Sequence, residues 1–298
     1  DLRTSTLDMR MEANQDDSTE AARLMREMGA GAVITLGGDG TNRAVAKEIG
    51  GVPMMPISTG TNNVFPQMIE GTIAGLAAGL VASGQLPVEE VTEKKLRLEV
   101  IRDDQVVDIA LIDVVVYAET FIGSRAVWDM SKVRELMLTQ ATPGNIGMSS
   151  VGAGLFCAEL DARRGVYLRM DEGHGPLELT APVAPGLVSP IHVSAYRLLE
   201  IGRQIPVGFA PSVLALDGER EVKVRPNDGT AVRLSDAGPR VIDPRKTMDL
   251  ASQRGLMVAV NDPPREAKKC LLHSIGLCLD PPDSCLKGME DEREFQKS

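Results

Sequence analysis

The chain has 298 residues, of which 43% are hydrophobic and 25% are charged, a composition that suits about two globular domains. Its 42 acidic residues outnumber 32 Lys and Arg, which gives a net charge of −10, and only 3% of residues are aromatic. Both features argue against a general nucleic-acid partner, which would need basic surfaces and stacking side chains.

Membrane and secretory signals are missing from the sequence. The best apolar run, at 106–118, is interrupted by Asp108 and Asp113, so no segment is expected to span a membrane. We find no signal peptide, and four cysteines are too few for a disulfide scaffold in a chain of this size. The sequence therefore predicts a cytoplasmic protein with no membrane partner.

The first ninety residues alternate between strand and helix patterns. Strands are predicted at 2–11, 32–36 and 52–57, and helices at 18–28, 42–49 and 69–82. Short apolar strands separated by helices are typical of a parallel sheet covered on both faces. We therefore expect an N-terminal doubly wound α/β domain over residues 1–90.

The pattern changes after residue 90 to many short strands with Gly- and Asp-rich turns. Strands are predicted at 95–101, 106–117, 166–170, 191–194, 213–216, 221–225 and 231–234, with one helix at 127–139. This pattern predicts a β-sandwich domain over 91–260, and the fold class is α/β plus all-β. Residues 261–298 are rich in Pro and charge and are predicted to form a surface tail.

A glycine-rich loop, ITLGGDGTN, links a predicted strand to a predicted helix. Gly37, Gly38 and Gly40 leave backbone N–H groups open to a phosphate, and Thr41 is placed to cap the helix. Asp39 would repel a phosphate, so it suits a role in orienting Mg²⁺ or accepting a proton from a hydroxyl. The alternative is a plain strand-to-helix turn in which Asp39 is a cap.

A second loop, PISTGTNN, repeats the arrangement about twenty residues later. Its polar and glycine positions are Thr59, Gly60, Thr61, Asn62 and Asn63. The carboxyl ends of neighbouring parallel strands lie at one edge of the sheet, where α/β proteins bind ligands. The loops match neither the Walker A motif nor the GxGxxG fingerprint, which disfavours those two nucleotide-binding classes.

The GGDGT segment resembles the signature of the NAD kinase and diacylglycerol/sphingosine kinase superfamily. The hairpin at 95–117, the segment VSPIHVSAYRLLEIGRQIPV and the segment ALDGE follow in that family's order. PISTGTNNVFP looks most like the ATP-NAD kinase-like proteins encoded with acetoin catabolism genes. The resemblance implies an α/β domain, a β-sandwich domain, a site between them and Mg²⁺-dependent phosphoryl transfer from ATP.

The resemblance also implies roles for individual residues. Asp39 would be the catalytic carboxylate, and Gly60, Thr61 and Asn62 would line the nucleotide site. Glu219 lies in a DGE element, where lipid kinases have an acidic active-site residue. The Asp-Gly pair before Glu219 is equally typical of a β-hairpin turn, so that reading stays open.

Two departures from NAD kinases stand out. The Asn-Glu or Asn-Asp pair that holds the dinucleotide is replaced by Ile112 and Asp113, so Asp113 alone is expected to contact a ribose. The TPTGSTAY stretch of NAD kinases is missing, and a different glycine stretch, NIGMSSVGAGL, precedes the corresponding region. The phosphate-handling half of the site looks retained and the NAD-binding half altered.

Several polar residues outside the loops allow two interpretations. Arg43 and Arg125 are either phosphate ligands or, more commonly, solvated surface arginines. Cys270, Cys278 and Cys285 could bind zinc together with His273, but their irregular spacing favours packed cysteines. We therefore assign no metal site.

The leading hypothesis is an ATP-dependent small-molecule kinase that uses Mg²⁺ and phosphorylates NAD or a related alcohol. A lipid kinase is the first alternative, favoured by STGTN and LDGE and opposed by the acidic charge. The second alternative is a nucleotide-binding regulator without catalysis. The family resemblance also implies a homo-oligomer.

Overall fold

The computed structural model describes residues 3–120, 129–156, 163–171 and 175–258. Its helices are α1 (Asp16–Glu27), α2 (Asp39–Glu48), α3 (Gly71–Ala82), α4 (Val88–Val91), α5 (Met148–Phe156) and α6 (Pro244–Gln253). Its strands are β1 (Val33–Gly37), β2 (Met54–Ser58), β3 (Thr92–Lys94), β4 (Arg97–Arg102), β5 (Gln105–Ala110), β6 (Asp113–Tyr117), β7 (Val133–Leu138), β8 (Arg164–Met170), β9 (Leu177–Ala184), β10 (Leu187–Glu200), β11 (Gln204–Pro206), β12 (Ser212–Leu216), β13 (Glu219–Val224), β14 (Ala231–Ser235) and β15 (Arg240–Ile242).

The first layer is a four-stranded sheet in the order β1-β2-β15-β3. Strands β1, β2 and β15 are parallel, and β3 is antiparallel to β15. Successive side chains of β2 point to opposite faces, so Met54 packs with residues of α1 and α2 while Met55 packs with α3 and α6. The sheet is covered by helices on both faces, which confirms the doubly wound α/β prediction.

The second layer is a pair of antiparallel sheets. Seven strands follow the order β13-β12-β6-β7-β8-β10-β9, and four follow the order β11-β14-β4-β5. One apolar core lies between the two sheets, with Val100 of β4, Val116 of β6 and Leu214 of β12 buried in it. On the other face of the larger sheet, Met148 and Val151 of α5 join a second core. The β-sandwich prediction is confirmed.

The chain returns to the first layer after the sandwich. Strand β15 joins the parallel sheet, and α6 packs against α3, where Ile242 and Ala251 complete the core around Ala74. Asp243 starts α6 by accepting the N–H of Lys246, and Pro244 follows it at the first helical position. The assignment of all of 91–260 to the sandwich therefore differs from the observed position of β3, β15 and α6.

Several local predictions were wrong. The helix predicted at 127–139 is the central strand β7 over its second half, because pairing with β6 and β8 buries both faces and removes the period-2 signal. Residues 3–10 of the strand predicted at 2–11 have no regular structure. The strand predicted at 106–117 is divided into β5 and β6. Helices α5 and α6 were not predicted.

Some predicted features fall outside the described residues. The tail at 261–298, with its three cysteines and His273, lies outside the described residues, as does Arg125. Among the described helices, none has both the length and the apolar character needed to cross a bilayer.

Candidate functional site

The GGDGT segment is shared between a turn and a helix. Strand β1 ends at Gly37, Gly38 is the N-cap residue, and α2 begins at Asp39, three residues earlier than predicted. Thr41 therefore lies inside the first turn. The prediction that Thr41 caps the helix was wrong. The N-cap residue Gly38 has no side chain that could cap α2, so the N–H groups of the first turn are placed to meet an anionic ligand.

The two glycine loops pack against each other. A Cβ on Gly38 would lie 2.8 Å from Asn63 Oδ1, so a larger residue there would displace the Asn63 side chain of the second loop. Asn63 Nδ2 donates a 2.7 Å hydrogen bond to Ser58 Oγ, which in turn donates to the carbonyl of Gly60 at 2.7 Å. Thr59 N–H donates to the carbonyl of Gly37 at 3.4 Å. These contacts hold the two strand ends in a fixed relationship.

Asp39 bridges the first loop to the segment after the second. Its carboxylate accepts the backbone N–H of Phe65 at 2.8 Å and that of Val64 at 3.1 Å. Burial raises the pKa of Asp39 above its ordinary value, and the two backbone hydrogen bonds oppose that rise. Asp39 is thus a bridging carboxylate and is not the helix cap of the alternative interpretation.

The Asp217-Gly218 pair forms a two-residue hairpin turn between β12 and β13. Both residues have positive φ, +50° and +83°, as a type I′ turn requires, so the hairpin interpretation is correct. The Asp217 carboxylate has a second role, because it accepts the backbone N–H groups of Leu111, Ile112 and Asp113 at 2.7–3.1 Å. Burial raises the pKa of Asp217 to about 6, although these bonds and Arg43 oppose the rise.

Asp113 is held by this turn with its carboxyl group in a buried position. The residue is 6% exposed, and its Oδ1 atom has no hydrogen-bond partner in the described part of the chain. Burial raises the pKa of Asp113 well above its ordinary value, and the nearby carboxylates of Asp217 and Asp39 raise it further. A buried polar atom without a partner is rare in folded proteins and marks a position that a ligand could satisfy.

These groups meet at one cavity of about 480 Å³ between the two layers. Of the residues predicted to form the site, those that line the cavity are Gly38, Asp39, Gly40, Thr41, Asn62, Asn63, Asp113 and Glu219. The others, Gly37, Thr59, Gly60 and Thr61, belong to the same loops but are not among the lining residues. A larger cavity of about 740 Å³ lies on the other side of Val64 and contains neither Asp39 nor Glu219.

The start of α5 and Gln15 are among the parts of the cavity wall that were not predicted. Ile146, Gly147 and Met148 reach the cavity at the start of α5, within the unassigned NIGMSSVGAGL stretch. Gly147 has φ +98°, so its place in the turn before α5 favours glycine. That glycine-rich stretch was the available signal. Gln15 also lines the cavity, and no feature of the sequence singles it out.

Two segments of the chain, one in each layer, match models of known protein families. Residues 2–85 match the model of the ATP-NAD kinase N-terminal domain, and residues 96–237 match that of the acetoin catabolism protein X C-terminal domain. Acetoin catabolism protein X of Cupriavidus necator is 41% identical over 262 residues, which are 86% of this chain and 73% of that protein. The chain belongs to the acetoin catabolism protein X family.

Two solved structures are also similar to this chain, at lower sequence identity than the Cupriavidus necator protein. Yeast NADH kinase complexed with NADH is 14% identical over 78% of this chain and 68% of that chain, with a TM-score of 0.39. An NAD kinase from Archaeoglobus fulgidus in complex with ATP is 15% identical over 76% of this chain and 83% of that chain, with a TM-score of 0.38.

Arg43 of this family member is neither a surface residue nor a residue that lines the cavity. Its side chain is fully buried behind the site. Its guanidinium lies 3.3 Å from Asp108, 3.8 Å from Glu219 and 4.0 Å from Asp217. Both sequence-based interpretations of Arg43 were therefore wrong, because acidic residues distant in the chain enclose it.

The cavity of this family member is lined by acidic residues. Four carboxylates line it, those of Asp39, Asp113, Asp217 and Glu219, and no Lys or Arg is among its lining residues in the described structure. Within those same residues, no three acidic, His or Cys side chains are arranged to hold a metal ion. A phosphate ligand in this cavity would depend on backbone N–H groups and on cations that it brings with it.

Proposed function

We propose that this member of the acetoin catabolism protein X family transfers a phosphoryl group from ATP, as its Mg²⁺ complex, to a hydroxyl of NAD or a related nucleotide. The observation that carries the proposal is the convergence of both glycine loops, Asp113 and Glu219 on one cavity. Phosphoryl transfer depends mainly on positioning and charge stabilisation, which such a cavity can supply.

Each wall of the cavity has a distinct part in this reaction. The uncapped N-terminus of α2 binds phosphate oxygens through backbone N–H groups. Asn62 and Asn63 of the second loop supply side-chain amides to the nucleotide. The free Oδ1 atom of Asp113 pairs with a ribose hydroxyl, which removes the cost of leaving that buried oxygen without a partner.

Asp39 is the proton acceptor for the attacking hydroxyl. The hydroxyl oxygen forms a bond to the γ-phosphorus of ATP, the bond from that phosphorus to the bridging oxygen breaks, and ADP leaves. The hydroxyl proton passes to the Asp39 carboxylate, whose pKa is raised by burial and therefore lies nearer to neutral pH. Two backbone hydrogen bonds from Val64 and Phe65 hold the carboxylate in place for this step.

Magnesium belongs to the substrate in this scheme. Mg²⁺ usually keeps several waters and binds through substrate phosphates with one or two carboxylates, so it does not need a cage of three protein ligands. The oxygen-rich cavity wall and the missing three-ligand cluster among the described residues fit an ion that arrives with ATP. When bound, it supplies positive charge to the phosphates opposite the four carboxylates.

A coupled assay for NADP formation tests the proposal. Purified protein is given NAD and Mg-ATP, with polyphosphate as a second donor, and the wild type is compared with Asp39→Asn. Asp17→Asn is the matched control, because Asp17 also accepts two backbone N–H groups, those of Glu12 and Ala13 at 2.8 Å, away from the cavity. NADP made by the wild type and Asp17→Asn and lost in Asp39→Asn is the expected result.

A nucleotide-binding regulator without catalysis is the second candidate. Ile112 in place of the usual amide favours it, as does the acidic cavity wall, whose described lining residues include no lysine. Calorimetry separates the two candidates, because a regulator binds Mg-ATP or NAD and forms no phosphorylated product. No NADP together with retained ATP binding would overturn the NAD assignment and direct the search to other alcohols, and if none of those is phosphorylated, the result supports the regulator.

A further inference from the structure

Arg43 is a buried cation enclosed by three acidic residues from two parts of the chain, strand β5 and the β12–β13 hairpin. It lies on α2, four residues after Asp39, and its side chain is fully buried. Its Nη1 atom is 3.3 Å from Asp108 Oδ1 on β5, and its Nη2 atom is 3.8 Å from Glu219 Oε2 on β13. The arginine therefore connects the helix of the GGDGT segment to two strands of the sandwich.

Asp217 links this arginine to the wall of the cavity. Arg43 Nε lies 4.0 Å from Asp217 Oδ2, and both side chains are fully buried. The same carboxylate accepts the backbone N–H groups of Leu111, Ile112 and Asp113. A buried ionised carboxylate needs a nearby positive charge or hydrogen-bond donors to offset the loss of water. The positive charge of Arg43 therefore favours the ionised form of Asp217, which is the form that best accepts these three hydrogen bonds.

Glu219 is fixed from the same side. Its Oε2 atom accepts a 2.6 Å hydrogen bond from Gln15 Nε2, and the Gln15 Oε1 atom in turn accepts from Arg43 Nη2 at 3.4 Å. Arg43 and Gln15 thus hold Glu219 at the edge of the cavity, although Arg43 does not line it.

We propose that Arg43 is a positioning residue, which fixes the turn at Asp217, Gly218 and Glu219 and, through Asp217, the backbone that directs Asp113 into the cavity. The proposal rests on the proposed function for the identity of the ligand but not for the geometry. It assigns to Arg43 a task that acts through other residues, with no contact to substrate. The competing explanation is an ion pair that only joins the two layers and contributes stability.

Hydrogen exchange distinguishes the two explanations without any assay of activity. In the folded Arg43→Lys variant of the full chain, the backbone amides of 111–113 should exchange about tenfold faster than in the wild type. A lysine ammonium is a single point charge and cannot face three carboxylates as the planar guanidinium does. Amides of the distant strand β8 serve as the internal reference for global opening.

Lys47→Met is the matched control. Lys47 lies one turn further along α2 and pairs with Asp108 at 2.8 Å, so it shares one acidic partner with Arg43. It has no ion pair with Asp217, and we expect exchange at 111–113 to stay within about twofold of the wild type. Faster exchange in Arg43→Lys alone supports positioning. Equal exchange in wild type, Arg43→Lys and Lys47→Met overturns it.

Asp217→Asn keeps the inference testable if Arg43→Lys fails to fold. If Arg43 acts through Asp217, Asp217→Asn accelerates exchange at 111–113 to a similar extent, and the double variant adds no further acceleration. Independent, additive effects of the two substitutions would overturn the proposal.

Kinetics provide the second readout where NADP is formed. Arg43→Lys should lower kcat about tenfold while KM for Mg-ATP stays within about threefold, because the phosphate-binding N-terminus of α2 is unchanged. A rise in KM for ATP with unchanged kcat would contradict a positioning role. If no NADP is formed by any variant, the proposed function fails, and the exchange measurement still decides the role of Arg43.

Discussion

Gln15 and Glu219 are 204 residues apart in the chain and are joined by a 2.6 Å hydrogen bond from Nε2 to Oε2. The bond passes beside Gly40, where an added Cβ would lie 3.2 Å from both Gln15 Nε2 and Glu219 Oε1. The coil before α1, the first turn of α2 and the β12–β13 hairpin therefore meet at Gly40. This close approach favours the third glycine of GGDGT, in addition to any contact with phosphate.

Gly40→Ala is expected to weaken ligand binding more than it changes stability. Alanine favours the helix over glycine by about 1 kcal/mol, but its Cβ would push apart the Gln15–Glu219 pair at the cavity edge. We expect about tenfold weaker binding of Mg-ATP by calorimetry, with a melting temperature within a few degrees of the wild type.

The control for Gly40→Ala is Gly79→Ala in the exposed face of α3. A Cβ at Gly79 meets no atom within 4 Å, so the substitution should stabilise the fold by about 0.5–1 kcal/mol and leave binding unchanged. Equal binding by wild type and Gly40→Ala would contradict the importance of the close approach.

Asp217 gives the folding stability an unusual pH dependence. Its pKa rises from 3.8 in the unfolded chain to about 6 in the fold, so the folded state binds the proton more tightly. Its stabilising contribution is therefore full below pH 4 and is lost as the pH rises through 6, by about 3 kcal/mol for about two pKa units.

Urea unfolding of the wild type and Asp217→Asn between pH 4 and 7 measures this effect. The other carboxylates are common to both proteins and largely cancel in the difference between the two free energies of unfolding. Asp113 is the exception, because the Asp217 carboxylate helps to raise its pKa, and losing that repulsion in Asp217→Asn changes the difference in the same direction. The wild type should lose stability relative to Asp217→Asn as the pH rises. A difference that is flat, or that changes in the opposite direction, would show that Asp217 keeps an ordinary pKa.

The sequence predicted those parts of the site that are built from neighbours in the chain. The GGDGT and STGTNN loops each follow a short buried strand, and that local pattern was enough to bring Asp39 and Asn63 to the same sheet edge. Asp113 and Glu219 were found through resemblance, since their positions depend on the pairing of β6 with β12 and on the hairpin turn. The arrangement in two layers followed from periodicity.

The surroundings of Arg43 could not be predicted in the same way. Its partners Asp108 and Asp217 are 65 and 174 positions away, and no local pattern distinguishes a buried arginine from an exposed one. Strand β7 was mistaken for a helix because a strand buried on both faces loses its alternation. Both errors arise from tertiary contacts that no short window of sequence contains.

ATP binding should require Mg²⁺. The cavity is lined by four acidic residues and, in the part of the chain that the structure describes, by no lysine or arginine, so no lining side chain offers a positive charge to the free triphosphate, and ionised carboxylates such as Asp39 repel it. Calorimetric titration with ATP in excess EDTA should show binding weakened by about a hundredfold or more relative to excess Mg²⁺. NAD, whose two phosphates are partly offset by the cationic nicotinamide ring, should depend less on the metal. Equal ATP affinity with and without Mg²⁺ would require a phosphate-binding cation in the protein itself.

Glu99 is expected to matter for stability and not for the site. It is 3% exposed on β4, and its two carboxylate oxygens accept 2.6 Å bonds from Arg97 and from Arg233 on β14. Burial raises the pKa of Glu99, but the bonds from Arg233 and Arg97 outweigh burial and hold the pKa below its ordinary value of 4.5. Because its neighbours Leu98 and Val100 point into the core between the sheets, Glu99 lies on the opposite face, away from the cavity.

Glu99→Gln should lower the free energy of unfolding by about 2 kcal/mol at pH 7, because two arginines lose their shared carboxylate. The loss should shrink as the pH falls below about 4.5, where wild-type Glu99 also begins to take up a proton. Glu93→Gln is the control, since the Glu93–Lys95 pair has the same 2.6 Å length but a side chain 58% exposed, and its loss should cost less than about 1 kcal/mol. Both variants should bind Mg-ATP as the wild type does. Weaker binding by Glu99→Gln would mean that the outer face of the sheet β11-β14-β4-β5 is coupled to the cavity.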